Sequence, residues 1–299
     1  MIISCDWGTS SCRVRVLTDT VLASLENAIG IAATFSSWQK TTTTRIDFYL
    51  SVLQTAITEL EYQNSLELHD IPIVLSGMAS SSIGMMELPY HPLPFLVTGE
   101  DLRPAILPAT PAFPHTLFSI PGVRSADDVM RGEETQLIGC PPAERLFLFP
   151  GTHSKHILVR DGSAVAFATY MTGEFFALLS RHSILSSSVA DGAGPAEAFL
   201  AGVDAAQGSG LLHSAFAIRT NRLFGRFSKT DNYQYLSGLV IGEELKGLDP
   251  QPVTLVAVSP LREAYALALR KLGFSDVVHV DAGEALVEGH RRIYRYFGG

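Results

Sequence analysis

The feature that most limits the possible folds is a strand–turn–strand pattern that occurs twice, far apart in the chain. In the first copy, short apolar runs stand on both sides of the turn DWGTSS, residues 6–11. In the second copy, they stand on both sides of PGTHSK, residues 150–155. Both turns are rich in glycine and hydroxyl side chains, which is typical of a turn between paired strands. One such unit in each half of the 299 residues indicates a duplicated architecture.

Strands and helices alternate along most of the chain. A meander of three short strands over residues 2–25 is followed by apolar residues at helical spacing from Ile46 to Leu60. The last part of the chain has a strand at Val253–Val258, a helix, a second strand at Val277–Val280 and a final helix. This alternation predicts an α/β protein. A length of 299 residues suits two domains, which we place at residues 1–145 and 146–299, with the last helix able to pack back on the first domain.

A proline-rich stretch, residues 87–122, interrupts this pattern. Proline lacks a backbone donor and fixes φ, so regular structure is hard to sustain there. The stretch keeps large apolar residues such as Phe95 and Phe113, which a free linker rarely does. We therefore interpret it as an ordered, irregular excursion, with a linker as the alternative.

The composition excludes several classes of protein. Hydrophobic residues make up 46% and charged residues 17%, so the chain can bury a sizeable core and is not disordered. The net charge is −8 and no segment concentrates Lys or Arg, which argues against nucleic-acid binding. No apolar run approaches the roughly 18 residues of a membrane span. Three cysteines and no secretory leader favour the cytoplasm. A homodimer is allowed by the sequence, which does not set the oligomeric state.

The first turn has the residue types of a phosphate-binding loop. Asp6 ends a buried strand, and Gly8, Thr9 and Ser10 follow it. Backbone N–H groups and hydroxyls bind phosphate oxygens, and an aspartate holds Mg²⁺, usually through water. The alternative is an ordinary hairpin whose polar residues satisfy the turn, and this motif taken alone favours that alternative.

The second turn repeats this chemistry and adds two basic residues. Gly151 and Thr152 correspond to the glycine and hydroxyls of the first turn, and His153 and Lys155 follow. Two facing hairpins can hold the β- and γ-phosphates of ATP from opposite sides, so the pair is more specific than either turn. His153 and Lys155 fit a phosphate or a substrate carboxylate; an ordinary exposed turn is the alternative.

Two further segments carry charged and polar residues near helix starts. In residues 127–136, Glu133 and Glu134 either favour the N-terminal turn of a helix or supply the base that a sugar kinase needs to accept a hydroxyl proton. In residues 171–174, Thr172 either caps a helix or helps its N-terminus to bind an anion.

These four segments together resemble the 2-dehydro-3-deoxygalactonokinase family, also called 2-keto-3-deoxygalactonate kinases. They occur in the family's order, and the similarity spans nearly the whole chain. Shorter segments around Gly77 and Met78 and over residues 236–243 are similar to the family as well. The resemblance implies an actin-like, ribonuclease H-like sugar kinase fold with two α/β domains and ATP in a central cleft.

The resemblance also implies an activity and its residues. The expected reaction is ATP- and Mg²⁺-dependent phosphorylation of the 6-hydroxyl of 2-dehydro-3-deoxy-D-galactonate, in galactonate catabolism. Asp6 is expected to hold Mg²⁺, and Glu133 or Glu134 to act as the base, with Glu133 favoured. The nucleotide is expected to contact Thr9, Ser10, Gly151, Thr152 and Ser259. The sugar acid is expected to contact Arg13, Gly77, Met78, Arg131, His153, Lys155, Thr172 and Glu174.

The sequence departs from the family pattern where the adenosine contact is expected. AVSP, residues 257–260, stands where glycine usually follows the strand, and a backbone without glycine approaches the nucleotide less freely. Two alternatives to the expected activity stay open: a kinase for another sugar or sugar acid on the same fold, and a non-catalytic sugar-binding regulator.

Overall fold

The computed structural model describes residues 1–298. The chain divides into two compact units. Unit 1 comprises Met1–Ala143, Arg160–Ala166 and the chain from Ala282 onward. Unit 2 comprises Glu144–Val159 and Phe167–Asp281.

The chain contains both strands and helices, and they alternate one by one only over its last part, from the strand Val253–Val256 to the helix Ala282–Phe297. The strands are β1 (Ile2–Trp7), β2 (Cys12–Leu17), β3 (Val21–Asn27), β4 (Ile73–Gly77), β5 (His91–Pro92), β6 (Phe95–Leu96), β7 (Ala105–Leu107), β8 (Leu117–Ser119), β9 (Val123–Arg124), β10 (Val129–Met130), β11 (Leu146–Phe149), β12 (Ser154–Arg160), β13 (Ser163–Tyr170), β14 (Val253–Val256) and β15 (Val277–Val280). The α-helices are α1 (Ile31–Trp38), α2 (Arg45–Asn64), α3 (Glu133–Gly139), α4 (Thr172–His182), α5 (Ala196–Ala206), α6 (Leu211–Ser214), α7 (Ala217–Leu223), α8 (Lys229–Leu245), α9 (Leu261–Lys271) and α10 (Ala282–Phe297).

Unit 1 is built on a sheet in the order β3-β2-β1-β4-β8-β7. The first three strands form the expected antiparallel meander, and β4 and β8 run parallel to β1. The register places Asp6 opposite Arg13 on one side and opposite Ser76 on the other. The ends of β1 and β4 therefore lie side by side, and both lead into segments that were predicted to carry the site.

Unit 2 repeats this arrangement in the order β15-β14-β11-β12-β13. Here β11 and β12 form the second antiparallel hairpin, and β14 and β15 run parallel to β11. The start of β13 belongs to unit 1, where Ser163 and Ala164 pair with Leu96 and Phe95 of β6.

The two sheets share one strand order. In each, the first strand has the meander on one side and two parallel strands on the other, which is the ribonuclease H-like arrangement that actin-like ATPases contain twice. The predicted α/β fold class is thereby confirmed. The duplication that the two turns indicated is present in the strand order as well.

Each unit has its own hydrophobic core. In unit 1, Trp7 and Tyr49 are fully buried, with ring centroids 5.5 Å apart, where α2 packs on the sheet. In unit 2, β11 and β14 pack against α5, α8 and α9. The last helix, α10, packs on α3, and Arg292 Nη1 donates to the carbonyl oxygens of Ile138 and Cys140 at 2.6 and 3.1 Å. Helix α3, which begins at Glu133, is thus held at its C-terminal end.

The proline-rich stretch is more regular than the sequence indicated. It contains β5 to β8, of which β7 and β8 extend the sheet of unit 1. Leu117–Ser119 lies between Pro114 and Pro121 and is free of proline, so all three residues can join the ladder. Within residues 1–298, no helix is long and apolar enough to cross a membrane.

Candidate active site

The carboxylate of Asp6 lies at the end of β1 in unit 1. Arg13 Nη1 is 3.7 Å from Asp6 Oδ2, and Arg13 Nη2 is 2.9 Å from Oε1 of Glu26. Burial raises the pKa of Asp6. The charges of Arg13 and Arg15 oppose this shift, and the charge of Glu133 adds to it. The side chain of Asp6 still keeps 24% of its exposure, so it is accessible to a small ion.

The turn that follows Asp6 presents two hydroxyls to solvent. Thr9 and Ser10 are exposed, and their backbone is held from below by the start of α1. The N–H groups of Ile31 and Ala32 donate to the carbonyl oxygens of Gly8 and Thr9 at 2.9 and 3.1 Å. The backbone of this turn is thus fixed by hydrogen bonds from the start of α1.

Gly77 allows the end of β4 to approach Asp6 closely. Its φ is +83°, and a Cβ at this position would lie 2.8 Å from the carbonyl oxygen of Trp7 and 3.2 Å from Asp6 Oδ1. A Cβ on Gly132, just before α3, would lie 3.9 Å from the Cα of Gly77. Met78 begins a 3₁₀ turn directly after Gly77. Unit 1 therefore brings together the ends of β1 and β4 and the start of α3.

The two glutamates at the start of α3 have different environments. Glu134 is buried; its carboxylate accepts from the Gly132 N–H at 2.6 Å and from the Thr135 hydroxyl at 2.9 Å. Burial, reinforced by the charge of Glu133, raises the pKa of Glu134 to about 7. Glu133 is only half-buried, and its Oε2 accepts from the Arg131 N–H at 3.2 Å. Helix phase, which the sequence could not fix, thus turns Glu134 inward.

Arg131 lies beside this helix start. Its guanidinium carbon is 4.3 Å from the ring centroid of Tyr90, and Nη1 donates to the hydroxyl of Ser80. Its buried Nε has no hydrogen-bond partner in the part of the chain that the structure describes. A cation with an unused donor suits a substrate anion.

The second hairpin, in unit 2, packs against the N-terminus of α4. The Glu174 N–H donates to the carbonyl oxygen of Thr152 at 3.1 Å, and a Cβ on Gly173 would lie 2.6 Å from the carbonyl oxygen of Gly151. His153 Nε2 is 2.5 Å from Glu174 Oε2, and both side chains are at the surface. Thr152 is exposed, whereas Lys155 is buried, with its Nζ donating to the His153 carbonyl oxygen at 3.0 Å.

Beneath the hairpin lies a buried carboxylate, Glu244 of α8, that the sequence analysis missed. It accepts bonds from His156 Nε2 at 2.9 Å, from the Tyr265 hydroxyl at 2.5 Å and from the hydroxyl of Thr172. Thr172, expected to contact the sugar acid, is thus nearly buried and bonded to a protein carboxylate. An acid within a helix is usually exposed, so the residue type gave no indication of this network.

A cavity of about 600 Å³ extends from the second hairpin through unit 2. Gly151, Thr172 and Gly173 line the end at the hairpin. Apolar and polar side chains of α4, α5, α8 and α9 line the rest, among them Phe176, Phe199, Tyr233, Gln234, Ser237, Leu261 and Tyr265. Pro260 also lines it, while the adjacent Ser259 donates from its hydroxyl to Glu263 Oε1 at 2.7 Å. A cavity of this size suits a drug-sized or cofactor-sized ligand.

The predicted residues therefore form one group in each unit. Asp6, Arg13, Gly77, Arg131 and Glu133 surround the strand ends of unit 1. The residues around the hairpin of unit 2 are Gly151, Thr152, His153, Lys155, Thr172 and Glu174. Among residues 1–298, no group of three or more His, Cys, Asp or Glu side chains could hold a metal ion.

Comparison with known proteins identifies the family. The sequence model of the 2-keto-3-deoxy-galactonokinase family matches residues 6–293. The chain belongs to this family.

Individual members are similar over most of their length. A protein of Rhizobium meliloti strain 1021, named a probable 2-dehydro-3-deoxygalactonokinase, is 32% identical over 95% of this chain and 93% of its own. The 2-dehydro-3-deoxygalactonokinase of Escherichia coli K12 is 32% identical over 74% of this chain and 78% of its own. A crystal structure from Sinorhizobium meliloti, of a protein assigned the same activity, superposes with a TM-score of 0.82 at 31% identity, over 99% and 97% of the two chains.

Proposed function

We propose that the protein transfers the γ-phosphoryl group of ATP to the 6-hydroxyl of 2-dehydro-3-deoxy-D-galactonate, giving ADP and the 6-phosphate in galactonate catabolism. Membership of the family over residues 6–293 supports the reaction. The observation that carries it in this chain is the close approach of Gly77 to Asp6 and of Gly132 to Gly77, which brings the end of β1 and the start of α3, with Glu133, to one place in unit 1. Asp6 is suited to bind a cation, and Glu133 is suited to accept the proton of the substrate hydroxyl.

Glu133 is the residue we propose as the general base. A base must reach the hydroxyl that it deprotonates, and Glu133 is half-buried, whereas Glu134 is buried and bonded within its own helix turn. Phosphoryl transfer depends mainly on positioning and on charge stabilisation, with the base orienting the attacking hydroxyl. Glu134 would then hold the backbone of Gly132 and so fix the orientation of the Glu133 side chain.

Asp6 is the residue we propose to hold Mg²⁺. Magnesium sites of this kind use one or two carboxylates together with substrate phosphates and water, and Asp6 is an accessible carboxylate beside the exposed hydroxyls of Thr9 and Ser10. Burial raises the pKa of Asp6 and Arg13 offsets that shift only in part, so a bound cation would further stabilise the charged carboxylate. When bound, the ion would neutralise charge on the phosphates of ATP.

The hairpin at Gly151 and Thr152, with the N-terminus of α4, is our proposed phosphate site in unit 2. Helix N-termini and glycine-rich turns direct N–H groups at anions. The cavity that begins at this hairpin is the proposed nucleoside site, with Phe176 and Tyr233 as apolar walls and Gln234 and Ser237 as polar groups. Ser259 would contribute at its margin, next to Pro260.

Arg131 is the cation that we propose for the carboxylate of the sugar acid. Its guanidinium, held over the ring of Tyr90, suits a planar anion. Arg13, Gly77 and Met78 would complete the sugar-acid site in unit 1. In unit 2, Thr172 and the buried Lys155 would support the hairpin, and the exposed His153, paired with Glu174, would contact the transferred phosphate or the substrate.

We further propose residues 1–145 and 146–299 as the two functional halves, with α10 attached to the first, and the cytoplasm as the location. The buried thiols of Cys5 and Cys12 lie within hydrogen-bond distance of each other, 3.8 Å apart, and form no disulfide, which suits a reducing compartment.

A substrate panel tests the proposal. ADP release would be measured with 2-dehydro-3-deoxy-D-galactonate, gluconate and a pentulose, with and without Mg²⁺. We expect the highest kcat/KM for the keto-deoxy acid and no turnover without the metal. Faster turnover of gluconate or the pentulose would assign a different substrate, and no turnover of any sugar with ATP would reject the kinase assignment.

A further inference from the structure

Glu244 is the most completely bonded buried carboxylate of unit 2. The residue is 4% exposed, and its two oxygens accept from an imidazole and two hydroxyls, those of His156, Tyr265 and Thr172. These donors come from three different elements, β12, α9 and the first residue of α4. The carboxylate therefore joins three segments that are distant in sequence.

The same network reaches the backbone of the phosphate-binding hairpin. The Tyr265 hydroxyl is 3.1 Å from Ser154 Oγ, and Ser154 Oγ accepts from the Gly151 N–H at 3.3 Å. Ser154 is completely buried, so water does not compete for these bonds. A chain of hydrogen bonds thus runs from Glu244 through two hydroxyls to the glycine at the mouth of the cavity.

Burying the Glu244 carboxylate carries a desolvation penalty that an apolar contact between the same elements would not carry. Burying a carboxylate is unfavourable unless its oxygens are bonded, and a well-packed apolar residue would fill the same space without that penalty. The carboxylate fixes the orientation of its donors, because hydrogen bonds to a charged acceptor are strong. Here the fixed donors are the hydroxyl that begins α4 and the hydroxyl that holds Ser154.

We propose that Glu244 is a positioning residue for the nucleotide: it fixes the Gly151 turn and the N-terminus of α4 relative to each other, so that the turn and the helix N-terminus form one site for the phosphate chain. This inference rests on the proposed function, since it assumes that the hairpin binds the phosphates of ATP. Glu244 itself does not contact the nucleotide. It acts through Thr172, Tyr265 and Ser154.

The first experiment compares Glu244→Gln with wild type, using MgADP as the probe in isothermal titration calorimetry and ATP in steady-state kinetics. Glutamine keeps the size of the side chain but removes the charge and one acceptor. We expect the Kd for MgADP and the KM for ATP to rise about tenfold or more, because the turn and the start of α4 would no longer be held in the geometry that binds the nucleotide. The KM for the sugar acid should change less than twofold.

Asn232→Ala is the matched control. Asn232 is also buried on α8, and its Nδ2 donates to the carbonyl oxygens of Ser188 and Ile218 at 3.1 and 2.9 Å, away from the hairpin. We expect this variant to melt at a lower temperature but to bind MgADP within twofold of wild type. If both variants weaken binding in proportion to their loss in melting temperature, the role of Glu244 is merely structural and the inference is wrong.

Ser154→Ala keeps the inference testable if Glu244→Gln does not fold. It removes only the link between Tyr265 and Gly151, and we expect severalfold weaker binding of MgADP. Unchanged MgADP binding in Ser154→Ala would overturn the inference, whether or not Glu244→Gln folds. Where Glu244→Gln does fold, the effects of the two substitutions should not add in the double variant, because both break one chain of bonds. Failure of the wild-type protein to bind MgADP would instead reject the proposed function.

Discussion

Arg13 Nη1 lies 3.7 Å from Oδ2 of Asp6, and the two residues are paired in register across β1 and β2. The same guanidinium is held by Glu26 on β3. Arg13 is therefore shared between a carboxylate at the proposed metal site and one at the surface. It compensates the charge of Asp6 only in part, which leaves this carboxylate able to bind a cation.

Asp6→Asn should abolish most of the activity. The amide keeps the shape of the side chain but is a poor magnesium ligand, so we expect kcat/KM to fall on the order of 100-fold or more. Glu26→Gln is the control, since it removes the other acid that contacts Arg13 and leaves the proposed metal site intact. Steady-state kinetics over a range of Mg²⁺ concentrations would measure both. Equal losses in the two variants would show that the charge of Arg13, and not the carboxylate of Asp6, is what matters.

Glu133→Gln should slow turnover without weakening nucleotide binding. Loss of a general base typically costs on the order of 100-fold to 10,000-fold in rate, and Glu133 lies in unit 1, whereas the proposed nucleoside cavity is in unit 2. The paired variant Glu134→Gln should retain more activity, because its side chain is turned inward. Single-turnover rates and MgADP titrations would separate the two effects. A larger loss of rate in Glu134→Gln would transfer the role of base to Glu134.

Glu134 also predicts a pH dependence of stability. Its pKa is about 7 in the folded protein, above the ordinary value of 4.5 that applies when the chain is unfolded. Between these values the folded state keeps a proton that the unfolded state releases, so the contribution of Glu134 is fully present below about pH 4.5 and is lost as the pH rises through 7. The free energy of unfolding of the wild type should decline relative to Glu134→Gln over this range, by up to about 3 kcal/mol. Denaturant unfolding of both proteins at several pH values would measure it; parallel curves would contradict it.

The sequence predicts the elements of the fold correctly where the local residue pattern alone determines the structure. The meander, the two turns and the closing βαβ unit combine apolar runs with clear turn residues, and all are present. Strand β13 was missed although Asp161 and Gly162 precede it, a pair that favours a tight hairpin; both have positive φ, 50° and 70°. Its side chains are only partly buried, so the strand lacks a continuous apolar run.

The site was predictable only in part, because some of it depends on tertiary contacts. Glycine- and hydroxyl-rich turns can be recognised from their composition, and the sequence offered Asp6 and the pair Glu133 and Glu134 as candidates without deciding between the two glutamates. The orientation of Glu134 depends on how α3 packs against α10, and the role of Glu244 depends on donors at least 21 positions away in the chain. No local pattern contains that information. The cavity residues of α4, α5, α8 and α9 were missed for the same reason.

Gly173→Ala should weaken ATP binding by displacing the second hairpin. The added methyl would lie 2.6 Å from the carbonyl oxygen of Gly151 and 2.8 Å from the Cα of Thr152, which are backbone atoms that cannot rotate away. We expect the KM for ATP to rise about tenfold, with a smaller change in the KM for the sugar acid. Gly208→Ala is the control, because its new Cβ would meet only ordinary contact, 3.5 Å from the Ala205 carbonyl oxygen. An unchanged KM for ATP in Gly173→Ala would show that the hairpin does not bind the nucleotide.

Ser237→Phe tests the cavity itself. Ser237 lines the cavity on α8, and a phenyl ring at this position would occupy part of its 600 Å³. If the nucleoside binds there, the Kd for MgADP should rise at least about tenfold, because the added ring and the nucleoside exclude each other. Thr220→Phe provides a comparison, since Thr220 lines a separate cavity beside α6 and α7. Calorimetric titration of both variants would decide between the cavities. Weakened binding in Thr220→Phe with full affinity in Ser237→Phe would place the nucleoside outside the cavity proposed for it.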